Sequence, residues 1–167
     1  MQKRIISLLV DNTSGVLSRV SGLFSRRGYN IDSLTVGVTA DTRYSRMTVA
    51  CSGDELILEQ IVKQLAKLVD VRDIKVLARD NSVVRELLLA KIAAKPSERQ
   101  GVIAVADIFR AKIVDVTPES ITMELTGNKS KLEAFLRLLA DYEILELART
   151  GITALSRGSE DVTVLDD

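Results

Sequence analysis

The chain of 167 residues is 46% hydrophobic and 28% charged, a soluble globular composition rather than a disordered one. Its 23 basic residues offset its 23 acidic ones, which removes the global electrostatic pull expected of a nucleic-acid or membrane-surface protein. It has no histidine and one cysteine, so most acid–base and zinc templates lack their usual residue and no disulfide framework is expected.

The apolar, β-branched run KRIISLLV (3–10) predicts a strand. Thr13 or Ser14 stands where a helix cap is expected, ahead of Val16, Val20, Leu23 and Phe24 at helical spacing, with Leu17 flanking them. Gly28 ends that helix. NIDSLTVGV (30–38) and SRMTVAC (45–51) alternate as strands; Leu34, Val36 and Val38 face one way, Ser33, Thr35 and Gly37 the other. Asp54 caps a helix carrying Leu58, Ile61, Leu65 and Leu68, and VRDIKVL (71–77) is a closing strand.

After the polar break ARDNSV (78–83) the order repeats. ELLLAKIAA (86–94) is a strand, and SERQGVIAVADIFRA (97–111) a helix with Val102, Val105, Ala106 and Phe109 inward. KIVDVT and SITMELT flank the turn Pro118-Glu119. Asn128 or Ser130 caps KLEAFLRLLADY, ILELART closes the unit, and GITALS is a further short strand. The fold expected is α+β, with two ferredoxin-like βαββαβ domains in tandem. They span 1–77 and 84–158, joined by a linker at 78–83 and followed by a flexible acidic tail at 159–167. In each, helices cover one sheet face, and dimer contacts are the expected cover for the other.

The segment DNTSGVLSRVSGLFSRRGYNIDSL (11–34) carries the chemistry. A helix N-terminus offers unpaired N–H donors to an anion such as a carboxylate, and Gly15, lacking Cβ, leaves room for close approach. Asn12 precedes the helix and Asn30 starts the next strand. Across a two-fold interface their carboxamides are placed to orient an amino acid's ammonium and carboxylate. The same residue types also serve any helix cap and turn.

This segment, together with SRMTV, EQIVKQLAKLVDV, IFRAKIVDVTPES and ARTGITALSRG, resembles the small, regulatory subunit of acetohydroxyacid (acetolactate) synthase, to about Gly158. The first half resembles an ACT domain, an amino-acid-binding module. The resemblance implies a subunit without an active site or cofactor of its own. Its implied partner is a large catalytic subunit, to which thiamine diphosphate, FAD and Mg are confined; the small subunit activates it and confers feedback inhibition by L-valine, in branched-chain amino-acid biosynthesis. It further implies a homodimer through ACT domains with effector sites between the two. Carried over by motif, those sites hold Asn12, Gly15, Val16 and Leu17 of DNTSGVL, Asn30 and Ile31 of GYNI, and Val36 of SLTVG. Ser14 stands where many ACT domains carry proline.

Other readings fit less well. An RNA-binding module of the same layout needs stacking aromatics on its central strands, and RIISLLV has none. An enzyme lacks histidine, a metal-ligand cluster and a phosphate loop. A stand-alone amino-acid-sensing ACT protein regulating another enzyme is the alternative. Cys51, sharing a strand face with Met47 and Val49, is read as a buried structural thiol. No apolar run reaches the roughly 18–20 residues of a membrane span, no signal peptide is recognised, and a cytoplasmic location is expected.

Overall fold

The computed structural model describes residues 2–165. The first six elements are β1 (Gln2–Asp11), α1 (Val16–Arg26), β2 (Asn30–Val38), β3 (Tyr44–Gly53), α2 (Glu55–Ala66) and β4 (Val71–Val76). Then come β5 (Ser82–Ala93), α3 (Arg99–Phe109), β6 (Lys112–Val116), β7 (Ser120–Gly127), α4 (Lys129–Leu138) and β8 (Ile144–Ser156). The strands form two antiparallel sheets, ordered β2-β3-β1-β4 and β6-β7-β5-β8, so the expected βαββαβ layout is present twice. By their contacts, one unit runs through Val83 and takes in the segment from Ile152 onward; the other runs from Val84 to Gly151.

In the first unit, alternate residues of β1 (Ile6, Leu8, Val10) and β3 (Met47, Val49, Cys51) point to the helices. They meet Val16, Val20 and Phe24 of α1 and Leu58, Ile61 and Leu65 of α2. Each buried side chain of Leu or Phe size stabilises the fold by roughly 1.5–3 kcal/mol. A bulge in β2 between Ile31 and Ser33 lets Ile31 pair with Cys51 and Leu34 with Val49, so both face the core despite their odd spacing.

Helix α1 is not capped by Thr13 or Ser14. Its N-cap is Gly15 at φ +84°, with no side-chain cap, and the Gly15 carbonyl accepts from the Arg19 N–H at 3.0 Å. The chain turns through a left-handed residue there, which glycine adopts without steric cost. The other end closes with Gly28 N–H donating to Ser25 and Tyr29 N–H to Phe24, the paired bonds of a Schellman turn. Asp54 caps α2 as expected, accepting from Leu56 N–H at 2.8 Å. Asn128, not Ser130, caps α4, accepting from Lys131 N–H at 3.0 Å.

The second core joins Leu88, Ala90 and Ile92 of β5 and Ile121, Met123 and Leu125 of β7 to Val102, Ala106, Leu132 and Phe135. At 78–83 the chain makes one 3-10 turn, Arg79–Asn81, and β5 begins at Ser82. ILELART and GITALS form one strand, β8, where two were expected.

The face of the first sheet away from the helices, for which dimer contacts are the expected cover, is covered in part by the chain itself. Ser7, Leu9 and Thr48 there are at most 4% exposed, and the cover is the chain's own segment from Ile152 onward, with Ala154 buried. The expected flexible tail contributes: Lys75 Nζ donates to the Asp161 carbonyl, and Thr163 Oγ1 to the Asp73 carboxylate. Residue 1 and tail residues 166 and 167 lie outside the described residues.

Candidate functional site

The turn before α1 is tightly held. Asn12 N–H donates to the Arg43 carbonyl at 2.8 Å, and its Nδ2 to the Thr42 carbonyl at 3.0 Å, leaving Oδ1 as an acceptor. Asp11 receives a two-pronged bond from Arg72, at 2.7 and 3.0 Å, which holds that guanidinium's pKa above its ordinary value. Arg19 reaches Asp70 at 2.7 Å. Nearby, the Arg43 guanidinium bonds Asp41 and holds its carboxyl below the usual carboxylate range.

These ionic groups pin the turn. The first-turn N–H groups of α1 receive no side-chain cap, and the helix dipole adds partial positive charge there. A Cβ on Gly15 would lie 2.9 Å from Arg19 Nη1, the movable end of a half-exposed side chain, so it is the left-handed φ that calls for glycine there.

The seven residues expected at the site do not meet in one chain. Asn30 is level with Lys3, since both pair with Ser52, whereas Asn12 follows Asp11 at the far end of β1. That separates the two carboxamides by roughly 30 Å along the strands. Asn30 Nδ2 donates to Asp32 at 2.9 Å, at the bulge. Val16 is 2% exposed and belongs to the core, so it offers the outside only its backbone. Leu17 and Val36, by contrast, are 46% and 48% exposed. Val36 sits on β2, an edge strand, with Val38 also exposed two residues on. Ile31 is partly buried against the core.

Sequence spacing offered no sign of the second layer of residues. Arg72, Asp70 and Thr42 act on the Asn12 turn from elements 30 to 61 residues away. Ser52 reaches Asp32 from the neighbouring strand. Cys51 is fully buried, and burial pushes its thiol up to about 11. Among the described residues no group of acidic, His or Cys side chains is arranged to hold a metal, and no helix is long and apolar enough to cross a membrane.

Residues 6–73 match the family model described as an AHAS small subunit-like ACT domain, and residues 85–158 the model described as small subunit of acetolactate synthase. The chain is 51% identical to the probable acetolactate synthase small subunit of Methanothermobacter thermautotrophicus, over 93% of each chain. It is 51% identical to the acetolactate synthase isozyme 3 small subunit of Escherichia coli, over 95% of this chain and 98% of that one. The crystal structure of the acetolactate synthase small subunit from Thermotoga maritima superposes with a TM-score of 0.89 at 40% identity, over 95% of this chain and 99% of that one.

Proposed function

The chain belongs to the family of acetolactate synthase small subunits, and from that premise we propose that it is the regulatory partner of a separate catalytic subunit. In this reading it raises that subunit's activity and confers feedback inhibition by L-valine. It carries no catalytic cofactor; thiamine diphosphate, FAD and Mg belong to the partner, and both work in the cytoplasm.

The observation that carries the reading is the separation of Asn12 and Asn30 to opposite ends of one sheet, whose edge strand leaves Val36 and Val38 in the open. β1 and β2 both run antiparallel to β3, so the Asn12 end of the sheet is also the Val38 end of β2. A second copy laying its β2 antiparallel to this one, about an axis near Leu34, would bring its Asn30 to that end. Two equivalent sites then form. In each, one copy's helix N-terminus receives the carboxylate, Asn12 and the partner copy's Asn30 orient the polar groups, and Leu17, Ile31 and Val36 line space for a branched side chain. One methylene in such a pocket discriminates by roughly 1–3 kcal/mol, so related amino acids bind more weakly. Valine favours one arrangement of the paired subunits, and its differential affinity, typically about 1–3 kcal/mol, is what reaches the catalytic partner.

Calorimetric titration with L-valine tests this. Saturable binding is expected in the natural chain and none in Asn12→Ala or Asn30→Ala. Mixing and re-pairing the two variants restores a site in each mixed dimer, because one copy keeps Asn12 and the other Asn30. A site confined to one chain gives no rescue, and that result would sink the shared-site reading. Copurification with the catalytic subunit separates this role from that of a stand-alone sensor.

A further inference from the structure

β2 lies at one edge of the first sheet, with β3 as its one ladder neighbour, and it is bulged between Ile31 and Ser33. Yet it carries Asn30, Ile31 and Val36. On its face away from the helices, two hydroxyls grip a residue more than a hundred positions later in the chain. Thr35 Oγ1 donates to the Ile152 carbonyl at 2.9 Å, and the Ile152 N–H donates to Ser33 Oγ at 3.4 Å. Both bonds are partly buried and both fall just after the bulge. The covering segment then continues to the opposite edge strand, where Lys75 and Asp73 of β4 hold Asp161 and Thr163.

We infer that Ser33 and Thr35 are positioning residues for the effector site, holding β2 in register through the backbone of Ile152. This rests on the reading that β2 carries half of that site. A bulged edge strand samples displaced registers, and each displacement moves Asn30 and Val36 relative to the partner copy. A ligand that needs one arrangement binds less well in proportion to the fraction of time it is absent. Ile152 offers both of its peptide groups to the strand from beneath, so its grip restricts that motion while leaving the helix-side residues free to meet a ligand.

The test compares the full chain with Thr35→Val, with the double variant Ser33→Ala/Thr35→Val, and with Thr35→Ser, which keeps the hydroxyl. Without any amino acid, amide hydrogen exchange in residues 33–38 is expected to rise about tenfold in the double variant and to stay near the natural rate in Thr35→Ser, with the interior of β1 unchanged. The Kd for L-valine is expected to rise about two- to tenfold in Thr35→Val, the range of one lost hydrogen bond, and to recover in Thr35→Ser. Unchanged exchange overturns the clamp. Raised exchange with an unchanged Kd overturns the positioning role. If the natural chain binds no L-valine, the effector reading falls by itself, and the exchange experiment still decides the clamp.

Discussion

The two units share strand order, a bulge in the second strand, and an Asx cap on the second helix, yet they differ where a helix meets a turn. The first helix of each unit ends in the same left-handed turn with the same two bonds. In the first unit the left-handed residue is Gly28; in the second it is Arg110 at φ 57°, with Ala111 N–H donating to Ala106 and Arg110 N–H to Asp107. The starts of those helices differ as well. Gly15 opens α1 in the left-handed region, whereas Glu98, in the helical region, opens α3. The first unit places glycine at both turns, Gly15 beside the candidate site and Gly28 at the far end of the helix, and the second, which carries no candidate site, builds its corresponding turns from ordinary residues. Shared topology therefore does not imply a shared task; the units differ in backbone angle where the first helix starts and in residue type where it ends.

Substitutions at matched positions break or sharpen this comparison. The largest effect is expected from Phe24→Ala and Phe135→Ala, each removing a fully buried ring from one core, at about 3–5 kcal/mol. Hydrogen exchange mapped along the chain should show the greatest loss of protection in the unit that carries the cavity. Equal losses in both units would mean that the two cores stand or fall together.

The next effect concerns pH and only the first core. Cys51 faces that core at the height where β7 of the second unit places Leu125. Burial lifts the thiol from 9.0 to about 11, so its folded pKa lies above the unfolded one. The stability this represents, on the order of 2–3 kcal/mol, is complete below pH 9 and falls as pH rises toward 11. Urea titrations of the natural chain and Cys51→Val across that window check it, the variant lacking this part of the decline.

A third contrast is steric. A Cβ on Gly53 would lie 2.8 Å from Tyr29 Cζ and closer still to Cε2, while one on Gly127 would meet the flexible Lys131 side chain at 2.7 Å. Tyr29 is buried and cannot swing away, so Gly53→Ala is expected to cost about 1–3 kcal/mol. Gly127→Ala should cost under about 1 kcal/mol, because the lysine moves aside. Similar melting shifts for the two would show that the tyrosine gives way. The smallest effect is at the shared turn: Arg110→Gly should stabilise the second unit by about 0.5–1 kcal/mol, and Gly28→Ala should destabilise the first by about 1 kcal/mol. Denaturant midpoints decide the sign of each.

The elements were legible because their signals are local. Val16, Val20 and Phe24 recur at helical spacing, and Asp54 stands one residue before its helix; both patterns are visible within a few positions. The strands of NIDSLTVGV and SRMTVAC announce themselves by alternation, although the bulge at Asp32 breaks the phase of the first, and only the ladder with β3 reveals it. At α1 the local signal misled. Thr13 and Ser14 are good caps by type, but the chain leaves β1 with Asn12 bound to Thr42 and Arg43, and from that exit it reaches the helix through a left-handed Gly15.

The sequence by itself therefore determined the periodic elements, their order and the residue types at the candidate site, since spacing and capping act over one or two turns of chain. Tertiary structure alone decided that Asn12 and Asn30 stand at opposite ends of a sheet, that Val16 is core while Val36 is open, and that a segment beginning at Ile152 covers part of the first sheet's second face. Each of these depends on strand register and on contacts between residues far apart in sequence, and no short window of residues encodes them.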